Sequence, residues 1–151
     1  MGLAESVYRP PRAETPWSVA EFYAPAGLRL YGYARAALAE ALRLAGACGG
    51  RVLLPSFICR DLLASVAAAG AQPVFYEVGP YLSPSQDSSR WPQANAALAV
   101  HYFGFPQDLA PFDAYARRTG AVVIEDAAHA LFSRDAAGRL LGTSAKLAIL
   151  S

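Results

Sequence analysis

Lysine is one of the residue types that this sequence nearly lacks. The chain has 13 lysine and arginine residues, of which Lys146 is the one lysine. The scarcity matters because covalent catalysis through a Schiff base requires a lysine amine. An excess of charge of one sign is also missing, because the 12 acidic residues nearly balance the 13 basic ones and leave a net charge of +1. This balance gives no electrostatic reason to expect a nucleic acid or a membrane surface as a partner.

Cysteines and long apolar runs are scarce as well. Cys48 and Cys59 do not have metal-ligand spacing, and no stretch is long enough to span a bilayer. Residues 1–17 contain acidic residues and prolines in place of the basic start and apolar run of a secretory signal. We therefore expect reduced thiols, a cytoplasmic protein, no membrane contact and no bound metal.

Hydrophobic residues, by contrast, make up 54% of the 151 residues, which is enough for a buried core. Residues 1–30 are predicted to be irregular because four prolines interrupt them, and residues 31–151 to form one domain. Helices are predicted at 33–45, 60–69 and 109–119, strands at 51–54, 73–78, 97–102, 121–125 and 146–150, and a surface loop at 79–93.

Apolar strands that alternate with helices indicate parallel βαβ units covered on both faces. The predicted fold class is therefore α/β, with a doubly wound, mostly parallel sheet. Ligands bind such sheets beyond the carboxyl ends of the strands. That rule directs attention to residues 55–60, 101–106 and 126–129, and to Ser151.

Asp126 is the first candidate site residue, because it ends the apolar run VVIED. A carboxylate at the end of a buried strand stays ionised only if a cation or a strong donor faces it, and a protonated pyridine nitrogen would suit that role. The same side chain could instead cap the turn at residues 127–130. The position alone leaves both interpretations open.

The two histidines are weaker candidates. His129 could hydrogen-bond to a ligand oxygen or stack on a ring, and His101 lies in the predicted strand ALAVHY. Taken singly, each is more readily explained as a structural histidine with satisfied nitrogens. No HxxxH or HExxH pattern is present, so metal binding has little support.

The segment GYARAAL begins a predicted helix just after Gly32. A helix N-terminus offers free N–H groups to a phosphate, although Arg35 could also be an ordinary surface residue. Neither GxGxxG nor GxxxxGK[ST] occurs, so dinucleotide and triphosphate binding lack their usual signatures. Cys59, in PSFICRD, is more simply a small residue that lines a pocket than a nucleophile.

Four segments in order resemble the DegT/StrS family of pyridoxal-phosphate aminotransferases, which have fold type I. They are VLLPSFICRDLLASVAAAGAQPVFYEV, HYFGFPQDL, VVIEDAAHALFS and GTSAKLAILS, and the likeness extends from about Gly32 to Ser151. The family has similar PSFT or PAYIC, H-x-x-G-x-P, EDAAQA or EDAAHA, and G-S-x-G-D-x-x-x-F-S motifs. The resemblance implies part of the large domain of such an enzyme, with pyridoxal 5′-phosphate as its cofactor.

The resemblance also implies roles for individual residues. Asp126 would pair with the pyridinium nitrogen of the cofactor, and His129 would lie near its phenolic oxygen. Ala34, Arg35 and Ser151 would contact the phosphate, the first two through backbone N–H groups. Cys59 stands where many relatives place an aromatic ring over the pyridine.

In the family, the lysine that binds the cofactor follows the serine within a few residues, whereas Lys146 aligns with the aspartate of G-S-x-G-D. We therefore predict that this chain has no catalytic lysine and is inactive by itself, as a truncated or degenerate portion of the enzyme. The complete enzyme would act as a homodimer on a small-molecule amino donor, such as glutamate, and a keto-sugar nucleotide or similar carbonyl substrate.

Two other functions are considered. The chain could be a non-catalytic α/β module that dimerises or binds a phosphorylated ligand, because a sheet with an open apolar edge favours association. A metal-dependent or cysteine hydrolase built on His101, His129 and Cys59 is the remote alternative.

Overall fold

A computed structural model of the chain describes residues 18–23 and 27–151. Its helices are α1 (Val19–Tyr23), α2 (Ala34–Leu44), α3 (Asp61–Ala68) and α4 (Ala110–Thr119). Its strands are β1 (Arg51–Pro55), β2 (Gln72–Tyr76), β3 (Ala96–Val100), β4 (Val122–Ala127) and β5 (Leu147–Leu150). Two short 3₁₀ turns lie at Ser88–Arg90 and Tyr102–Gly104.

The five strands form one sheet in the order β2-β1-β3-β4-β5, and every pair of neighbours is parallel. The predicted α/β class with a parallel sheet is thus confirmed. After β1 the chain adds β2 on one side, then passes to the other side for β3, β4 and β5. Such a reversal of direction opens a crevice at the carboxyl ends of the strands.

Alternate residues of the strands supply two separate cores, as expected for a sheet covered on both faces. On one face, Ile124 and Ile149 pack with Leu38 and Leu42 of α2 and with residues of α3. On the other face, Val123 belongs to a core built on α4 and on aromatic side chains: Tyr76, Trp91, Phe112 and Tyr115. Strand β3 (AALAV) is buried along its whole length between these layers.

The observed boundaries differ from the predicted ones in a few places. Within the segment predicted to be irregular, Val19–Tyr23 form a single helical turn, and the Tyr23 ring is buried. Residues 1–17 and 24–26 lie outside the described part of the chain, so the proposed division at residue 30 stays a prediction. His101 lies just beyond β3 and not within it, because the backbone turns there into Tyr102–Gly104.

Among the described residues, no helix is both long enough and apolar enough to cross a membrane. Cys48 and Cys59 are both exposed, and neither forms a disulfide within the described residues. A cytoplasmic location remains a prediction from the sequence.

Candidate active site

Strands β4 and β5 place Asp126 and Ser151 at the same end of the sheet. Asp126 is the penultimate residue of β4 and pairs in register with Ile149 of β5, so the two side chains point to the same face. That face is the one covered by α2, because Ile124 and Ile149 belong to the α2 core. Ser151 follows Ile149 by two residues, and the alternation of an extended chain directs it to the same face.

Asp126 is buried, with only 6% of the residue exposed. Its Oδ1 accepts a hydrogen bond from the Ala128 backbone N–H at 3.0 Å, which is the turn-capping role that the sequence left open. In the described part of the chain, Oδ2 has no hydrogen-bond partner. Burial raises the pKa of Asp126, because the one N–H donor and the nearby histidines His129 and His101 offset the loss of water incompletely. The site therefore holds a carboxylate that a cationic donor would stabilise.

A cavity of about 420 Å³ brings Ala34 together with Ser151, between the start of α2 and the length of β5. The first N–H groups of α2, those of Ala34 and Arg35, have no acceptor within the helix. The side chain of Tyr33, the residue before the helix, makes no capping hydrogen bond to them. Such a helix start attracts an anion. The guanidinium of Arg35 is exposed and lies 4.4 Å from the centre of the Tyr33 ring, so a phosphate contact there would involve the Arg35 backbone.

His129 lies in the turn after β4 and is exposed, with its ring stacked on Phe103 (5.7 Å between centroids, 9° between planes). Phe103 has a left-handed backbone (φ 53°) although it is not glycine, which is a strained conformation. The next residue, Gly104, has φ +88°, and a Cβ there would lie 3.2 Å from the Ser133 hydroxyl. The loop after β3 is thus pressed closely against the turn after β4.

Cys59 is exposed and lies beyond the carboxyl end of β1, two residues before α3. Of the six predicted site residues, Ala34 and Ser151 line the 420 Å³ cavity, whereas Arg35, Cys59, Asp126 and His129 do not. A nearby aromatic residue that the sequence did not single out is Tyr102, whose O–H donates to the Phe57 carbonyl at 2.5 Å. Burial, together with the Asp126 carboxylate, raises the pKa of Tyr102 to about 12, so its hydroxyl stays protonated.

The residue that sequence reasoning missed is Glu125, which is 1% exposed. Its Oε2 lies 2.9 Å from Nε2 of His101 and accepts the Gly142 N–H, while Oε1 accepts the N–H groups of Ser144 and Ala145. Burial alone would raise the pKa of Glu125, but the hydrogen bonds from His101 and these three amides hold it below its usual value.

His101 is buried, and both of its ring nitrogens are hydrogen-bonded. Its Nδ1 accepts the Gln107 N–H at 2.9 Å, so the ring proton lies on Nε2 and donates to Glu125. The sequence feature that could have indicated the Glu125–His101 contact was the second acidic residue of VVIED, next to Asp126. Because successive strand residues point to opposite faces, only one of Glu125 and Asp126 can face the α2 side.

Lys146 is exposed and lies immediately before β5, at the amino end of that strand. It borders the cavity that Ser151 borders from the other end. A strand of four to five residues separates the two by roughly 15 Å. The lysine amine is therefore attached far from the end of the sheet where Asp126 lies.

A second cavity, of about 330 Å³, lies on the opposite face of the sheet, below Glu125 and His101. Asp108, Asp113 and the Asp135–Arg139 ion pair border it. Within residues 18–23 and 27–151, no three histidine, cysteine or acidic side chains are grouped so as to hold a metal ion.

Comparison with known proteins identifies relatives of this arrangement. The family model described as "DegT/DnrJ/EryC1/StrS aminotransferase family" matches residues 33–151. A pleiotropic regulatory protein of Geobacillus stearothermophilus is 36% identical over 87 residues, which are 55% of this chain and 23% of that protein. A dTDP-4-dehydro-2,3,6-trideoxy-D-glucose 4-aminotransferase of Saccharopolyspora spinosa is 35% identical over 107 residues, which are 68% of this chain and 28% of that protein.

Among solved structures, the aminotransferase TlmJ of Streptoalloteichus hindustanus superposes with a TM-score of 0.70 at 28% identity, covering 88% of this chain and 39% of TlmJ. The chain thus spans about a quarter of the length of the two sequence relatives. Because the family's sequence pattern extends over residues 33–151 and the fold agrees with that of an aminotransferase, the chain belongs to the DegT/DnrJ/EryC1/StrS aminotransferase family.

Proposed function

We propose that residues 31–151 form the part of a pyridoxal-phosphate-dependent aminotransferase that holds the pyridine ring and the phosphate of the cofactor. The observation that supports this most directly is Asp126, a buried carboxylate with one oxygen free of partners in the described part of the chain. It lies on the same face and at the same end of the sheet as Ser151. Membership of an aminotransferase family implies this cofactor.

The residues present fit the cofactor. The free Oδ2 of Asp126 matches an N–H⁺ donor, and the first amides of α2 match a phosphate. When bound, pyridoxal phosphate supplies an electron sink for a substrate carbanion. Asp126 would keep the proton on the pyridine nitrogen, because its own charge is unfavourable in that buried position without a cationic partner.

The other predicted site residues have supporting roles in this proposal. The Ala34 and Arg35 amides and the Ser151 hydroxyl would orient the phosphate from two sides of the cavity that Ala34 and Ser151 share. His129, held by its stack on Phe103, would donate to the phenolic oxygen. Cys59, which is small, would border the pyridine face without stacking on it.

The proposed reaction is amino transfer from a donor such as glutamate to a keto-sugar nucleotide or a similar carbonyl compound. The matching Saccharopolyspora spinosa protein is a 4-aminotransferase for a dTDP-activated dehydro sugar, which supports this substrate class. Because this chain spans 28% of that relative, the proposal concerns the longer protein in which such residues act.

By themselves, residues 1–151 are proposed to bind the cofactor without transferring amino groups. The single lysine is attached at the amino end of β5, away from Asp126. A general base and covalent anchor for the reaction are therefore missing from this end of the sheet in the described residues.

Cofactor titration of the chain tests the proposal. We expect pyridoxal phosphate to quench intrinsic fluorescence with saturation. Asp126→Asn should weaken binding at least tenfold, whereas the exposed-surface control Asp113→Asn should not. Lys146→Ala should leave the cofactor absorbance unchanged. Binding that is equal in all variants, or a cofactor band that disappears in Lys146→Ala, would contradict the assignment.

A second candidate function is a non-catalytic module that forms homodimers or holds a phosphorylated ligand. It is favoured by the outer edge of β5, which no strand in the described part of the chain covers, and by the exposed apolar side chains of Leu30 and Leu44 beside it. The coding sequence after the Ser151 codon distinguishes the two. A lysine codon within a few residues supports the enzyme, and a stop codon there supports the module.

A further inference from the structure

The Glu125 carboxylate joins two segments that are distant in sequence. One oxygen lies 2.9 Å from His101 Nε2, just after β3, and the other accepts the Ser144 N–H at 2.7 Å, just before β5. With the amides of Gly142 and Ala145, four N–H donors converge on one buried anion. A carboxylate has about four acceptor positions, so these donors saturate it.

The first segment leads to the His129 side of the crevice. The His101 ring accepts the Gln107 N–H, and the His101 backbone N–H donates to the Asp126 carbonyl, both at 2.9 Å. The loop between His101 and Gln107 is therefore held at both ends. It carries Phe103, whose strained backbone presents its ring to His129.

The second segment leads to the phosphate side. Residues 142–145 lie over β4 and β5 on the Glu125 face, and the chain then continues into β5, which ends next to Ser151. Gly142 packs so closely that a Cβ on it would lie 3.1 Å from Leu150 and 3.4 Å from Ala127. The segment that Glu125 holds thus packs against β5, which is also paired with β4 along its whole length.

From these contacts we infer that Glu125 is a positioning residue for the cofactor site, acting from the face of the sheet opposite Asp126. Through His101 and the Phe103 loop, it fixes the position of His129 relative to Asp126. Through residues 142–145, it fixes the position of Ser151. The inference rests on the proposed function for the identity of the ligand. The hydrogen bonds that join Glu125 to the two segments are present in the folded chain without any ligand.

A buried carboxylate is a poor choice if stability alone is needed, because well-packed apolar side chains of similar volume are often as stabilising. What a carboxylate offers is a fixed geometry for several donors at once. A glutamine would present one carbonyl oxygen and one amide group, and the amide would face N–H groups that it cannot satisfy. The Glu125→Gln variant must therefore release one or both segments.

The experiment compares amide NMR spectra and pyridoxal phosphate affinity in wild type and Glu125→Gln. We expect the amide signals of both Phe103 and Ser151 to shift in the variant without any ligand, and the cofactor dissociation constant to rise about tenfold. His101→Phe keeps a ring but removes both nitrogens. It should move the Phe103 signal and leave that of Ser151 in place.

Tyr115→Phe on α4 is the control, because it removes one hydrogen bond, to the Pro92 carbonyl ahead of the amino end of β3, whereas Phe103 and Ser151 follow the carboxyl ends of β3 and β5. It should alter neither signal nor the affinity. Should Glu125→Gln fail to fold, Glu125→Asp, which keeps the charge but shortens the side chain, tests both segments, and His101→Phe tests the first segment alone. Signals that move only at residues 142–145, or an unchanged affinity in folded Glu125→Gln, would overturn the inference. If wild type binds no cofactor, the proposed function fails, and the amide signals alone decide the role of Glu125.

Discussion

Asp126 is the residue at which function and stability should conflict. Its pKa is raised by burial, so the favourable contribution of its protonated form is fully present below the unfolded pKa and is lost as pH rises through the folded value. Asp126→Asn keeps the Oδ1 acceptor for the Ala128 N–H and removes the charge. We expect it to stabilise the chain at pH 7 by on the order of 1 kcal/mol.

Urea unfolding at pH 7 and at pH 3 measures this effect. The gain should shrink at pH 3, where wild-type Asp126 is itself protonated. The same variant is expected to bind pyridoxal phosphate more weakly, so stability and affinity change in opposite directions. A loss of stability at pH 7 would show that the carboxylate has a cationic or donor partner within the chain.

Glu125 should show the opposite dependence on pH. Hydrogen bonds hold its pKa below the ordinary value of 4.5, so its contribution to stability is present above pH 4.5 and is lost as pH falls through the folded pKa. We expect Glu125→Gln to cost about 3 kcal/mol at pH 7 and to cost less at acidic pH. Unfolding midpoints measured between pH 7 and pH 3 test this, and a cost independent of pH would mean that the charge is unimportant.

At the scale of elements, the connection from β4 to β5 depends on one glycine. Gly142 has φ +82°, and a Cβ on it would lie 3.1 Å from Leu150, within the segment that Glu125 holds. Gly138, in the preceding turn, has φ +78°, and a Cβ on it would have no neighbour within 4 Å among the described residues. Both positions therefore have a left-handed backbone, but only at Gly142 would an added Cβ be crowded by a neighbouring side chain.

Substitution of each glycine by alanine separates these two effects. Gly138→Ala should cost about 1 kcal/mol, because a left-handed backbone is unfavourable for an L-residue. Gly142→Ala should cost roughly 1–3 kcal/mol more, because β5 must also shift. Chemical denaturation gives both values. Equal costs would mean that Leu150 moves aside freely and that the position of β5 does not depend on this contact.

At the scale of the whole molecule, we expect the proposed homodimer to form through the outer edge of β5 and the groove beside it, which is the 420 Å³ cavity lined by Ala34 and Ser151. Leu44 of α2 is 56% exposed and lines this groove. We expect the chain to sediment as a dimer and Leu44→Lys to shift it toward the monomer, because a buried unpaired charge opposes association. Leu28→Lys and Phe75→Lys serve as comparisons, the first inside the groove and the second on β2, at the opposite edge of the sheet.

If only the changes in the groove weaken the dimer, the β5 edge is the interface. A dimer that is weakened equally by Phe75→Lys would place the interface elsewhere, and a monomeric wild type would refute the homodimer. Because Leu28 and Leu44 line the cavity that Ala34 and Ser151 share, cofactor affinity is measured for each variant as well, with Phe75→Lys on β2 as the reference.

The sequence by itself determined the elements and their class. Apolar runs such as ALAVHY and VVIED predicted parallel strands, and alanine, leucine and glycine spacing placed α2 and α4 within a residue or two. These features are local, because burial on both faces and helix capping each favour particular residue types at neighbouring positions in the sequence. The order of the motifs was enough to indicate the family, which the comparison confirmed.

Only the tertiary structure decided which acid of VVIED faces which side, and what each one contacts. Strand pairing set Asp126 level with Ile149, and the packing of residues 142–145 over β4 and β5 brought three amides to Glu125. Neither fact follows from the sequence pattern, because a one-residue shift in register would exchange the two faces. The physical reason is that the donors around a buried carboxylate determine its charge state and its contacts, and those donors come from segments that only folding brings together.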